Sequence, residues 1–166
     1  MTSLVGRFEC EAADAGCEVR RTLAADFADA LAESVERPAV GAPLPFTSVS
    51  LPEYVTTDPT PSDLDAAATG ITPAQFAVAE YGSVAIRSTG GSDEAASLYP
   101  ERHVAVLAES DVVGDMTAGI ERMGKIVRAG GDAVFATGAS ATADMGELVV
   151  GAHGPREVTV VVVEDR

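Results

Sequence analysis

The sequence predicts an α/β domain built on a mainly parallel sheet with helices on both faces. Three observations carry that expectation. Val158–Val163 is a valine-rich run too apolar to show either face to water, so it belongs in the middle of a sheet. His103–Ala108 has the same buried-strand texture. Strand-like and helical patterns alternate along the chain, which favours parallel strands joined through helices. The chain has 166 residues, treated as one domain over 1–166. A domain of that size buries roughly 70% of its unfolded surface and needs no disulfide or metal to hold it.

Taken in order, Leu4–Ala15 shows a helical spacing of Leu4, Phe8, Ala12 and Ala15 and stops at Gly16, a residue suited to a helix C-terminus. Cys17–Thr22 suits a short strand. Leu23–Val35 is amphipathic, with Leu23, Phe27, Ala30, Leu31 and Val35 on one stripe, and Pro38 ends it. Residues 41–65 change texture: six of the nine prolines lie between Pro38 and Pro61. Val49–Val55 is a candidate strand inside this stretch, which otherwise serves as a lid, a flexible arm or an acidic surface loop. A short helix from Asp63 leads to Gly70. Phe76–Glu80 and Ser83–Arg87 flank Tyr81-Gly82 as a hairpin, and Ser88–Asp93 is a Gly/Ser turn. Asp111–Ala129 is the longest helix, with Val112, Met116, Ile120, Met123 and Val127 on its apolar side and Gly130-Gly131 at its end. No repeat of fixed period is visible.

The last third carries the candidate chemistry. Ala133–Ala136 is a strand that empties into Thr137-Gly138-Ala139-Ser140-Ala141-Thr142. Where a strand passes into a helix start, free amides and hydroxyls hold phosphate or carboxylate, which makes Gly138, Ser140 and Thr142 anion-binding candidates. The bland alternative is that Ser140 or Thr142 caps a short helix over 141–146. Asp144 then bonds back to the turn or favours the helix dipole. His153-Gly154-Pro155-Arg156-Glu157 packs an imidazole, a guanidinium and a carboxylate into one loop. Arg156 offers a carboxylate a rigid fork and His153 a proton-carrying ring; otherwise Arg156 pairs internally with Glu157 or Glu80. Glu80 is an acidic residue within an apolar strand, either functional or a hairpin residue with a buried partner. His103 is expected to be a satisfied core histidine. No Walker loop, no dinucleotide fingerprint, no Ser-His-Asp order and no H-E-x-x-H is present. Cys10 and Cys17 match no metal-ligand spacing and are expected to be two part-buried thiols.

The combination TG-x-S-x-TAD, then G-x-HGP-[RK]-E, then a valine strand resembles the LUD domain of lactate-utilisation protein C. The phrase GITPAQFAVAEYGSVAI extends the resemblance upstream, so that it covers about 66–165. At one point the chain departs from the pattern: Tyr81 stands where Ala-Glu-Thr-Gly is usual. The resemblance implies the fold shared by ribose-5-phosphate isomerase, glucosamine-6-phosphate deaminase and CoA transferases. CoA transferases of that fold use a strand-end glutamate as nucleophile, which makes Glu80 a catalytic candidate by analogy alone. Ligands of open α/β sheets bind beyond the carboxyl ends of the strands. The resemblance further implies a subunit of an L-lactate utilisation system, working beside iron–sulfur partners that oxidise lactate to pyruvate. The clusters are expected in those partners, with no cofactor bound by this chain and a small carboxylate or phosphate as its ligand. A free-standing CoA-transferase-like or sugar-phosphate enzyme and a non-catalytic carboxylate sensor are the alternatives.

Charge narrows the partners. Twenty-six acidic residues face 11 basic ones, a formal net charge of −15, and Lys125 is the only lysine. Nucleic acid and anionic membranes repel such a surface. The balance suits a halophile, because molar salt shortens the Debye length to about 3 Å and screens carboxylate repulsion. No stretch approaches the ~20 apolar residues that span a bilayer, and the N-terminus lacks the pattern of a secretory signal. A cytoplasmic location is expected.

Overall fold

A computed structural model describes residues 3–166, apart from the side chain of Asp144, whose expected bond back to the turn lies outside the described residues. The valine run forms β12 (Glu157–Val163), which is hydrogen-bonded in parallel to β1 (Cys17–Thr22) on one side and β7 (Arg102–Ala108) on the other. Next to β7 come β4 (Thr69–Pro73), β2 (Ala39–Gly41) and the two-residue β3 (Val55–Thr56), all parallel, giving the order β1-β12-β7-β4-β2-β3. Alternation along β12 explains its composition. Val158, Val160 and Val162 enter one core and Val161 and Val163 the other, so a polar side chain would be buried on either side.

The two faces of this sheet are covered differently. Phe27 and Leu31 of α2 (Phe27–Ala32), with Val49, Leu51 and Tyr54 of the proline-rich segment, cover one face. The other face meets Val5, Phe8 and Ala12 of α1 (Leu4–Asp14) and a second, four-stranded sheet. That sheet runs β8-β5-β6-β9, from β8 (Val112–Val113), β5 (Phe76–Val78), β6 (Ser83–Ser88) and β9 (Asp132–Ala136). Its outer face, with Phe76, Val78, Ala85 and Phe135, is closed by Met116, Met123 and Ile126 of α5 (Met116–Arg128). Phe76 and Phe135 meet edge to face at 5.7 Å between ring centroids. Two short helices, α3 (Pro61–Ala66) and α4 (Asp93–Leu98), flank the β2–β4 end.

Several expected elements change. The Leu23–Val35 helix shrinks to α2 after a 3₁₀ turn over Ala24–Asp26. The Ser34 hydroxyl donates to the Ala30 carbonyl, replacing the bond that would continue the helix, and Leu23 stays exposed. The long helix begins at Met116 because Asp115 caps it, accepting from the Ala118 amide at 2.9 Å, while Val112 and Val113 pair with β5. Ile120 and Val127 face solvent; Ile126 takes the inward position instead. Val49–Val55 contributes only its last residue to a strand.

The expected helix over 141–146 is instead a hairpin of β10 (Ala141–Asp144) and β11 (Glu147–Val150). Met145 and Gly146 at its tip have φ of 50° and 87°, the two left-handed residues of a tight two-residue turn. The strands β2 and β4 and the helix α4 have no counterpart in the expected pattern.

Candidate functional site

The two loops singled out by sequence meet. β9 ends at Ala136, and the Thr137 hydroxyl bonds the Ser83 hydroxyl at 2.5 Å. Gly138, at φ +68°, then presses against the end of α1: a Cβ there would lie 2.0 Å from the Ala15 carbonyl oxygen. Ser140 donates its amide to the Pro155 carbonyl at 2.8 Å, and its own carbonyl accepts from Gly151 at 2.7 Å. Residues 137–140 and 151–155 are thus stitched together at the base of the β10–β11 hairpin. The Arg156 amide, bonded to the Glu101 carbonyl at 2.7 Å, ties the second loop to the start of β7.

Between these loops, β7 and α4 lies a cavity of about 440 Å³. Gly138, Ser140, His153 and Pro155 line its loop side; Ile86, His103 and Val158 lie at its sheet side; Glu94, Ser97 and Leu98 come from α4. His103 is 2% exposed, and its Nε2 meets the Thr72 hydroxyl at 2.9 Å. Burial pushes its imidazole down from 6.5 to about 4, so the ring is neutral at pH 7. His103 is therefore a bonded core histidine and a cavity residue at once.

The cavity sits at the amino ends of β7 and β12, since His103 and Val158 are the second residues of their strands. The expectation of a site beyond the carboxyl ends does not hold for this loop pair. The reason is that β9 belongs to the smaller sheet, antiparallel to β6, and its carboxyl end delivers residues 137–140 to the opposite edge.

The sequence-derived candidates separate. Gly138, Ser140 and His153 share the cavity. Thr142 lies on β10, outside the lining, and no helix start follows the hydroxyl run. Arg156 lines a neighbouring cleft with Glu36, Asp65, Glu101 and Arg102, and its Nε lies 3.8 Å from Glu101, not from Glu157 or Glu80. Glu157 is engaged by Arg102 at 2.7 Å. Glu80 is half exposed, pairs with Arg7 at 3.8 Å and takes no part in lining the cavity.

The amide cradle is also partly spent, because the Ser140 amide serves the Pro155 carbonyl. The polar side chains on the cavity wall include the Ser140 hydroxyl, the exposed His153 ring, the neutral His103 ring and the Glu94 carboxylate, in mainly apolar surroundings. Sequence reasoning missed Glu94 and Ser97, though Ser92-Asp93-Glu94 is a recognisable helix-start signal.

Cys17 is buried under the Gly138 loop and Cys10 is exposed. Burial raises the Cys17 thiol above its ordinary value, and the Gly138 amide offsets this only in part. A maleimide is therefore expected to label Cys10 alone in the native protein and both cysteines in denaturant, read by intact mass. Rapid double labelling of the native chain would contradict this packing. Among the described residues no group of three His, Cys, Asp or Glu side chains converges to hold a metal, and no helix is long and apolar enough to cross a membrane.

Against known proteins, the LUD domain family matches residues 58–163. Lactate utilization protein C of Deinococcus radiodurans is 32% identical over 96% of this chain and 79% of its own length. Proteins of the same name from a Geobacillus species and Halalkalibacterium halodurans are 35% and 36% identical over 58% of the chain. Those matches cover 42% and 44% of the two relatives, less than half their length. A crystal structure of a DUF162 family protein, also from Deinococcus radiodurans, superposes with a TM-score of 0.76 at 24% identity, covering 96% of each chain.

Proposed function

Because the chain belongs to the LUD domain family, we propose that it serves an L-lactate utilisation system, as a subunit working beside iron–sulfur proteins that oxidise lactate to pyruvate. The observation that carries this reading is the 32% identity to lactate utilization protein C across 96% of the chain. In this role electrons pass through the partner subunits. The chain contributes assembly surface and a ligand chamber, in which a small carboxylate or phosphate meets the Ser140 hydroxyl and the His153 ring. The chamber's size and largely apolar lining suit a small organic ligand with one polar end.

The test is a tagged pull-down from the native cytoplasm, scored for co-purifying iron and for lactate-dependent dye reduction. Iron-containing partners and lactate oxidation are the expected result; a chain that comes down alone, without iron, would sink the assignment. Glu80→Gln separates this reading from a free-standing transferase. Because Glu80 pairs with Arg7 at the surface, the variant is expected to leave lactate-dependent dye reduction within about twofold (under 0.5 kcal/mol of barrier). A loss of a hundredfold or more would return Glu80 to the chemistry.

A further inference from the structure

The hairpin of β10 and β11 stands outside both larger sheets, its strands paired only with each other among the described residues. The pairing register assigns its faces. Ala141 lies opposite Val150 and Ala143 opposite Leu148, and strand alternation puts these four residues on one face. Thr142, Val149 and Glu147 fall on the other. One face is therefore wholly apolar, the alternation of a ribbon with one side packed.

Among the described residues nothing packs on it. Leu148 is 73% exposed and Val150 42%, Ala141 and Ala143 are exposed as well, and none of the four joins a core cluster. Met145, at the tip, is 99% exposed. A two-stranded hairpin alone in water is marginally stable, so a cover for its apolar face stabilises it.

Two features point to a second copy of this chain as that cover. The first is charge. The four residues of the face include none of the 26 acidic ones, so two chains of net charge −15 can meet there without setting carboxylate on carboxylate. The second is shape. Each cross-strand pair sets a small side chain beside a larger one, Ala143 by Leu148 and Ala141 by Val150. A twofold axis along the ribbon lays each strand over the opposite strand of the partner ribbon. Leu148 of one copy then fills the space above the partner's Ala143, and Val150 the space above the partner's Ala141.

We propose that the chain associates as a twofold dimer through this face, ribbon against ribbon. Four side chains are few beside the ~20–30 residues a side of a standard interface, so the dimer is weak and concentration-dependent. The assignment does not rest on the lactate reading.

The experiment is sedimentation velocity of the full chain over a wide concentration range, in about 0.1 M and about 1 M KCl. Monomer is expected to give way to dimer as concentration rises, more readily in the higher salt, where repulsion between the acidic chains is screened. Leu148→Gln should raise the dimer Kd about tenfold or more. Val149→Gln, a similar change on the other face, should leave it within about twofold. Ala143→Leu adds apolar surface but occupies the space the partner's Leu148 needs, so it should weaken the dimer. All three positions are exposed, so the variants are expected to fold, as circular dichroism would check.

A chain that stays monomeric at every concentration in both salts would overturn the proposal and leave the face to a different protein. A dimer that Leu148→Gln weakens no more than Val149→Gln does would overturn the choice of face. A dimer tightened by Ala143→Leu would overturn the interdigitation.

Discussion

Gly138→Ala is expected to destabilise the protein by roughly 2–5 kcal/mol, the sum of left-handed backbone strain and overpacking. The backbone there has φ +68°, and the added Cβ would lie 2.0 Å from the Ala15 carbonyl oxygen, an atom fixed at the end of α1. Relief requires the loop to lift, which strains the Thr137–Ser83 hydroxyl bond and uncovers Cys17. Gly146→Ala is the control. It has a similar φ, +87°, with nothing within 4 Å of its Cβ, so it carries only the dihedral strain of about 1–2 kcal/mol. Urea unfolding of both variants should separate them, with Gly138→Ala the more damaging. Equal losses would mean that the loop is not packed on α1 as described. The same variant should make Cys17 accessible to maleimide without denaturant.

The second large effect is pH dependence from His103. Its folded value is about 4 against 6.5 ordinarily, so between these limits the unfolded chain binds a proton that the native chain does not. Stability therefore rises with pH across that window: the contribution is complete above about 6.5 and is lost as pH falls towards 4. The displacement corresponds to about 3 kcal/mol. His103→Gln keeps a partner for the Thr72 hydroxyl and removes the titration. The wild-type advantage over His103→Gln should accordingly shrink by about 3 kcal/mol between pH 7 and pH 4. The carboxylates titrate in both proteins and cancel in that difference. Parallel pH profiles would show that His103 is not held neutral by burial.

What was legible in the sequence follows from where the physical signal is local. β12 and β7 are valine-rich because both their faces are buried, and such runs need no context to recognise. The α1 periodicity and the β5–β6 hairpin are likewise local. By contrast β2 has three residues and β4 is Thr-Gly-Ile-Thr-Pro, so neither has enough apolar side chain to stand out. They are strands because β7 offers β4 its edge and β4 in turn offers its other edge to β2. The Ala141–Gly146 segment misleads in the opposite direction: small helix-compatible residues precede a Met-Gly tip whose left-handed turn decides for a hairpin.

The site divides along the same line. Gly138, Ser140 and His153 come together because two loops near in sequence are stitched by the Ser140–Pro155 and Gly151–Ser140 bonds. His153 and Arg156 part although they lie three residues apart: His153 lines the cavity, while the Arg156 amide is tied to the Glu101 carbonyl and its side chain lines the neighbouring cleft.

The most direct measurement is reconstitution: lactate-dependent dye reduction by the co-purified iron–sulfur partners, with this chain stripped away and then added back. Membership in the lactate system as a necessary subunit predicts loss of lactate oxidation on stripping and recovery on addition of the folded chain. Full lactate oxidation by the partners without it would contradict that role.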